Sequence, residues 1–111
     1  DTGPIEDNLE LLAVYHALGV RIIQLTYNER NRVGSGCLAP NDEGLTEFGR
    51  AVIAEMNRLG LLIDLSHVGP RTTQEAIEAS TRPVAFTHAN ARARAEHPRN
   101  KSDAALKSLS A

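Results

Sequence analysis

Apolar side chains recur at Leu11, Val14, Tyr15 and Leu18, a three–four spacing that predicts a helix over residues 7–18, with Gly19 as its stop. The pattern then changes. Val20-Arg21-Ile22-Ile23-Gln24-Leu25-Thr26-Tyr27 is β-branched and aromatic-rich and reads as a strand. Residues 28–44 show no periodicity and carry Gly, Asn and Pro, so they read as a long loop of the kind that serves as a lid or binding loop. Phe48, Val52, Met56 and Leu59 restore the helical period, behind a capping Thr46 and ahead of Gly60. Leu61-Leu62-Ile63-Asp64-Leu65-Ser66 is apolar nearly throughout rather than alternating, as in a parallel strand covered on both faces. Pro70 suits the first turn of a helix over 70–80, Pro83 opens a last strand running to His88, and residues 102–111 read as a further helix.

The resulting order is α-β-α-β-α-β-α, which implies an α/β fold with a parallel sheet. Three strands do not close, and both outer strands would expose unpaired backbone groups. Two architectures fit: a small open sandwich, or about three βα units of a larger sheet or barrel whose full form takes roughly 250 residues. Asp1 is not a methionine and the last helix lacks a glycine cap, so residues 1–111 are expected to be an internal piece of a longer chain.

Composition narrows the function more by exclusion. A net charge of −2 gives no electrostatic case for nucleic acid or an anionic membrane. No run approaches the roughly 20 apolar residues of a membrane span. Cys37 is the single cysteine, so no disulfide forms within the chain.

The candidate chemistry sits at strand ends. His67 and His88 each finish an apolar run and lie 21 residues apart, one helix between them. In parallel α/β proteins ligands bind at the carboxyl ends of strands, and neighbouring strands lie about 4.8 Å apart, so the two imidazoles can share a metal ion. Two histidines are too few for a complete metal site, and a further ligand must come from elsewhere. Asp64 lies three residues before His67, where alternation turns it to the other face, and is expected to be a structural hydrogen-bonding group. Arg99 and Asn100 follow the last strand in a proline-broken loop that overhangs the site, where Arg99 is placed to grip a carboxylate bidentately. Tyr27 ends the first strand and is expected to wall the same pocket. His97 is expected to be exposed, His16 to pack within its helix, and Cys37 to be an unreactive loop side chain.

These residues carry a resemblance. Leu18-Gly19-Val20-Arg21, Gln24-Leu25-Thr26-Tyr27-Asn28, Gly44-Leu45-Thr46-Glu47-Phe48-Gly49 and above all Asn57-Arg58-Leu59-Gly60-Leu61-Leu62-Ile63-Asp64-Leu65-Ser66-His67 resemble the membrane dipeptidase (peptidase M19) family. Phe86-Thr87-His88 and Arg99-Asn100-Lys101 follow at family-like spacing. The resemblance implies a (β/α)8 TIM barrel of the metal-dependent hydrolase type, with two zinc ions that serve dipeptide hydrolysis. It implies that His67 and His88 ligate the second zinc, that Arg99 holds the substrate's terminal carboxylate, and that Tyr27 and Asn100 line the substrate site. Tyr27 followed by Asn28 is similar to bacterial members, which implies a bacterial-type substrate preference; the compartment is left open, with a cytoplasmic or periplasmic bacterial protein favoured, and a homodimer is a possible assembly. The resemblance implies that the first-strand His-x-Asp pair lies far upstream, the bridging carboxylate at or just before the first residue, and the late catalytic aspartate after Ala111, so no catalytic base is expected on residues 1–111, and the piece alone is expected to be inactive. The alternatives are a metal-dependent amidohydrolase acting on acyl-amino acids or lactones, and a non-catalytic α/β module.

Overall fold

A computed structural model of the chain describes residues 1–111. Three short parallel strands lie side by side in chain order: β1 (Ile22–Gln24), β2 (Leu62–Asp64) and β3 (Val84–Ala85). Ile63 of β2 is in register with Ile23 of β1 and Val84 of β3, and the central strand is the most buried of the three. Helices connect the strands: α1 (Glu10–Ala17) precedes β1, α2 (Glu47–Leu59) joins β1 to β2, α3 (Pro70–Ala79) joins β2 to β3, and α4 (Asp103–Ser110) ends the chain.

Local signals set the helix ends as expected. Thr46 Oγ1 accepts the Gly49 N–H at 2.8 Å, which caps α2, and Gly60 closes it in the left-handed conformation at φ 76°. Between these caps Val52, Ile53 and Met56 are fully buried against β2, each worth about 1.5–3 kcal/mol of burial.

Helix α1 departs from the expected face. Leu12 is fully buried, whereas Val14 is 49% and Leu18 76% exposed. Leu9, Leu11, Leu12, Val14, Tyr15 and Leu18 nearly encircle this helix, so periodicity does not select one stripe; docking against α2 selects Leu9, Leu11, Leu12 and Tyr15. A 3-10 turn at Gly3–Ile5, which the pattern does not announce, adds Ile5 to the core.

The strands are shorter than the apolar runs. Beyond Ala85 the chain leaves the ladder because the Thr87 and His88 N–H groups donate to side chains, Asp64 Oδ1 at 3.2 Å and Ser66 Oγ at 3.0 Å, instead of to β2 carbonyls. This side-chain pairing ends β3 and carries the chain into the site.

Candidate functional site

Past β2 the chain runs through buried Leu65 and Ser66 and turns at His67, whose φ of 62° is left-handed and uncommon for a residue with a side chain. The turn is held from outside. His67 O accepts the Cys37 N–H at 2.7 Å, and Gly36 bridges Val68 antiparallel, so the long loop docks along the strand end. The same loop sends Asp42 to the start of α3, where its carboxylate accepts from Arg71 N at 2.7 Å, Thr72 N at 3.1 Å and Thr72 Oγ1 at 2.6 Å. Burial works to raise the Asp42 carboxyl, but these hydrogen bonds outweigh it and hold it below its ordinary value. A loop so tied is a fixed wall rather than a flap.

Behind that wall lies an open cleft of about 450 Å³, lined by Tyr27, Asn28, Leu38, His67, His88 and Arg99 among others. The His67 and His88 ring centroids are 5.0 Å apart, and the Tyr27 ring stands 4.3 Å from His67. His67 Nδ1 lies 2.8 Å from Asn28 Oδ1, and its Nε2 accepts the Arg99 Nε–H at 3.0 Å. The Arg99 guanidinium also donates to His88 O at 3.0 Å. His88 Nδ1 lies 2.8 Å from Thr87 Oγ1, which in turn donates to Asp64 Oδ2 at 2.7 Å. Burial, then the charge of Arg99 and the neighbouring His88, lower the His67 pKa and keep that ring neutral. Burial pushes the Asp64 carboxyl up, but hydrogen bonds from Thr87 and Ser66 prevail and hold it below its ordinary range.

The structure thus brings His67, His88, Arg99 and Tyr27 into one cleft. Asn100, expected as a substrate contact, does not line this cleft. Its amide donates to Ala95 O at 2.7 Å and accepts from Asn90 N at 3.3 Å, so it staples its own loop. His97 is exposed at the cleft mouth and accepts the Arg99 N–H at 3.1 Å. Cys37 is buried, and burial pushes its thiol up. Asp64 is the structural hydrogen-bonding group anticipated, although it reaches the site side through Thr87. Asn28, Thr87 and Lys101 are the residues that pattern reasoning passed over. The first two stand beside residues singled out above, at Tyr27-Asn28 and Thr87-His88, and that adjacency was the available signal.

Two imidazoles facing one cleft are a donor set that suits zinc. A cation about 2.1 Å from one nitrogen of each ring, at tetrahedral angles, sets the ring centroids roughly 5 Å apart. The observed separation of 5.0 Å fits. No three His, Cys, Asp or Glu side chains gather in this chain to hold a metal, so this pair is half of a usual ligand set. The Arg99 hydrogen bond to His67 Nε2 is the contact a metal ion would replace.

Comparison with known proteins identifies the family. The Membrane dipeptidase (Peptidase family M19) profile matches residues 2–111. An uncharacterized dipeptidase of Schizosaccharomyces pombe is 39% identical over 109 residues, covering 95% of this chain and 26% of the relative. Dipeptidase tcpJ of Claviceps purpurea is 38% identical over 101 residues, 89% of this chain and 24% of its own length. Among solved structures, an amidohydrolase from Pseudomonas aeruginosa superposes with a TM-score of 0.91 at 48% identity, covering 95% of this chain and 32% of that one. A metallo peptidase from Rhodobacter sphaeroides, liganded with a phosphinate mimic of the dipeptide L-Ala-D-Ala, gives 0.86 at 32% identity, with 93% and 31% covered. The chain therefore spans about a quarter of the curated relatives and about a third of the solved chains. It belongs to the membrane dipeptidase family, peptidase family M19, and its three βα units are part of that family's (β/α)8 barrel.

Proposed function

We propose that this chain contributes two imidazole ligands and a carboxylate anchor to a zinc-dependent dipeptidase, as part of one catalytic barrel. The observation that carries the reading is the pair of imidazoles with centroids 5.0 Å apart, with Arg99 hydrogen-bonded to the His67 ring and the His88 carbonyl. Zinc, when bound, polarises a peptide carbonyl and brings the pKa of water near neutrality. His67 and His88 hold one ion, and a second ion is held by groups outside residues 1–111. Arg99 takes the substrate's terminal carboxylate in a two-pronged, charge-assisted grip, which favours dipeptides over longer chains by reach. Tyr27, 56% exposed beside His67, covers one side of the bound substrate. Residues 1–111 supply neither a general base nor a complete metal-ligand set, so the isolated chain binds zinc weakly and does not hydrolyse dipeptides.

The test is Arg99→Gln in the full-length protein. Loss of a charged hydrogen-bonding partner raises KM for a dipeptide about 10- to 100-fold and leaves KM for the corresponding dipeptide amide nearly unchanged. An equal change for both substrates would refute the carboxylate anchor. A second reading, hydrolysis of acyl-amino acids, draws on the 48% identity to the Pseudomonas amidohydrolase, and a panel of both substrate classes separates the two.

A further inference from the structure

We propose that Asn28 and the Thr87–Asp64 pair are positioning residues that lock both imidazoles as Nδ1–H tautomers, aiming Nε2 of each ring into the cleft. The inference rests on the zinc reading above but is argued from proton counting alone. Arg99 Nε carries one hydrogen and has no acceptor capacity, so the His67 Nε2 that receives it at 3.0 Å holds a lone pair. The proton of this neutral ring is therefore on Nδ1, and its partner 2.8 Å away, Asn28 Oδ1, is a pure acceptor. The two contacts fix the same tautomer independently.

For His88 the count runs through a hydroxyl. Thr87 Oγ1 has one proton, and it goes to the carboxylate oxygen Asp64 Oδ2 at 2.7 Å. Toward the ring that hydroxyl can only accept, so His88 Nδ1, 2.8 Å away, is the donor. The opposite tautomer would draw the Thr87 proton to the ring and leave Oδ2 of an Asp64 that is only 4% exposed without its donor, which buried carboxylates disfavour. The other oxygen, Oδ1, is pinned as an acceptor by Ser66 N at 2.9 Å and Thr87 N at 3.2 Å. Metal-binding histidines generally donate their remaining N–H to a carboxylate or carbonyl, and that partner sets metal affinity. Here one ring uses an amide oxygen and the other a carboxylate reached through threonine.

Asp64→Asn tests the relay in the full-length protein. With Oδ1 pinned, the new amide nitrogen takes the Oδ2 position and donates to Thr87 Oγ1; the hydroxyl then donates to His88 Nδ1, and the ring proton moves to Nε2. Imidazole ¹⁵N NMR of the chelator-stripped protein is expected to show His88 switching from Nδ1–H to Nε2–H, with His67 unchanged. Calorimetric titration with zinc is expected to show affinity falling about 10- to 100-fold. Should Asp64→Asn fail to fold, Thr87→Ser and Thr87→Val decide: serine keeps the relay and the wild-type tautomer and affinity, valine loses both. Likewise Asn28→Asp keeps the His67 tautomer, whereas Asn28→Leu does not. A wild-type His88 in the Nε2–H form, or serine and valine variants that behave alike, overturns the inference. The tautomers are read without metal or substrate, so a protein that lacks dipeptidase activity yet shows both Nδ1–H rings would sink the functional reading and leave this one standing.

Discussion

Lys101 is 4% exposed and faces no carboxylate: its Nζ donates to Val68 O at 2.8 Å and Thr73 Oγ1 at 3.3 Å, and lies 5.0 Å from the centre of the Phe86 ring. Burial depresses its pKa from 10.5 to about 8, a difference worth roughly 3 kcal/mol between charged and neutral forms. The sign follows from linkage: between those two pKa values the unfolded chain binds more protons than the folded one, so stability rises with pH across that window. Integrated from about pH 7.5 to about pH 10, the gain is roughly 2 kcal/mol. Lys101→Met keeps the stem and abolishes this term. It also leaves Val68 O without its donor, a loss of about 1–3 kcal/mol that does not vary with pH. The two effects nearly cancel near neutrality, so the slope is the diagnostic rather than the absolute stability. Urea denaturation of wild type and variant at both pH values is expected to show wild type gaining roughly 2 kcal/mol relative to Lys101→Met at the higher pH. Parallel pH profiles would refute the picture of a desolvated, unpaired ammonium.

Two further outcomes test the walls of the cleft. A Cβ on Gly36 would lie 2.3 Å from the Asn28 carbonyl and the Tyr27 oxygen, so Gly36→Ala is expected to cost about 1–3 kcal/mol in denaturant and to weaken zinc binding by moving Asn28; an unchanged midpoint and affinity would contradict that close approach. The His67 ring, held below its ordinary value, stays neutral in the folded state after the unfolded chain has taken up its proton, so stability falls as pH drops from about 6.5 through the folded pKa. A ring that titrates by NMR at or above the ordinary histidine value would count against the buried, Arg99-facing environment.

Much of the fold was legible because it is periodic. The i, i+4 rows of α2, its Thr46 and Gly60 ends, and the nearly continuous apolar run around Ile63 are local statements about burial, and the structure realises them. Helix α1 was misread where apolar residues surround the helix and only docking against α2 chooses the buried set. The meeting of His67, His88 and Arg99 was legible from topology, since parallel strands bring their carboxyl ends together. Where Asn100 points was not legible, because position in a loop does not set a side chain's direction; its amide is bonded to the backbone at Ala95 and Asn90.

What periodicity could not show is the set of side-chain bonds that replace the ladder at the strand ends. Asp64 illustrates why. Alternation gives it one face and one role, yet its two oxygens have four lone-pair directions. Oδ1 takes the Ser66 and Thr87 N–H groups, which stops β3 after Ala85, while Oδ2 takes the Thr87 hydroxyl that receives His88. The bond that ends the strand and the bond that orients the imidazole come from the same carboxylate. Shortening of the strand and assembly of the site are one event, so a variant that restores ladder pairing beyond Ala85 would be expected to turn His88 away from His67.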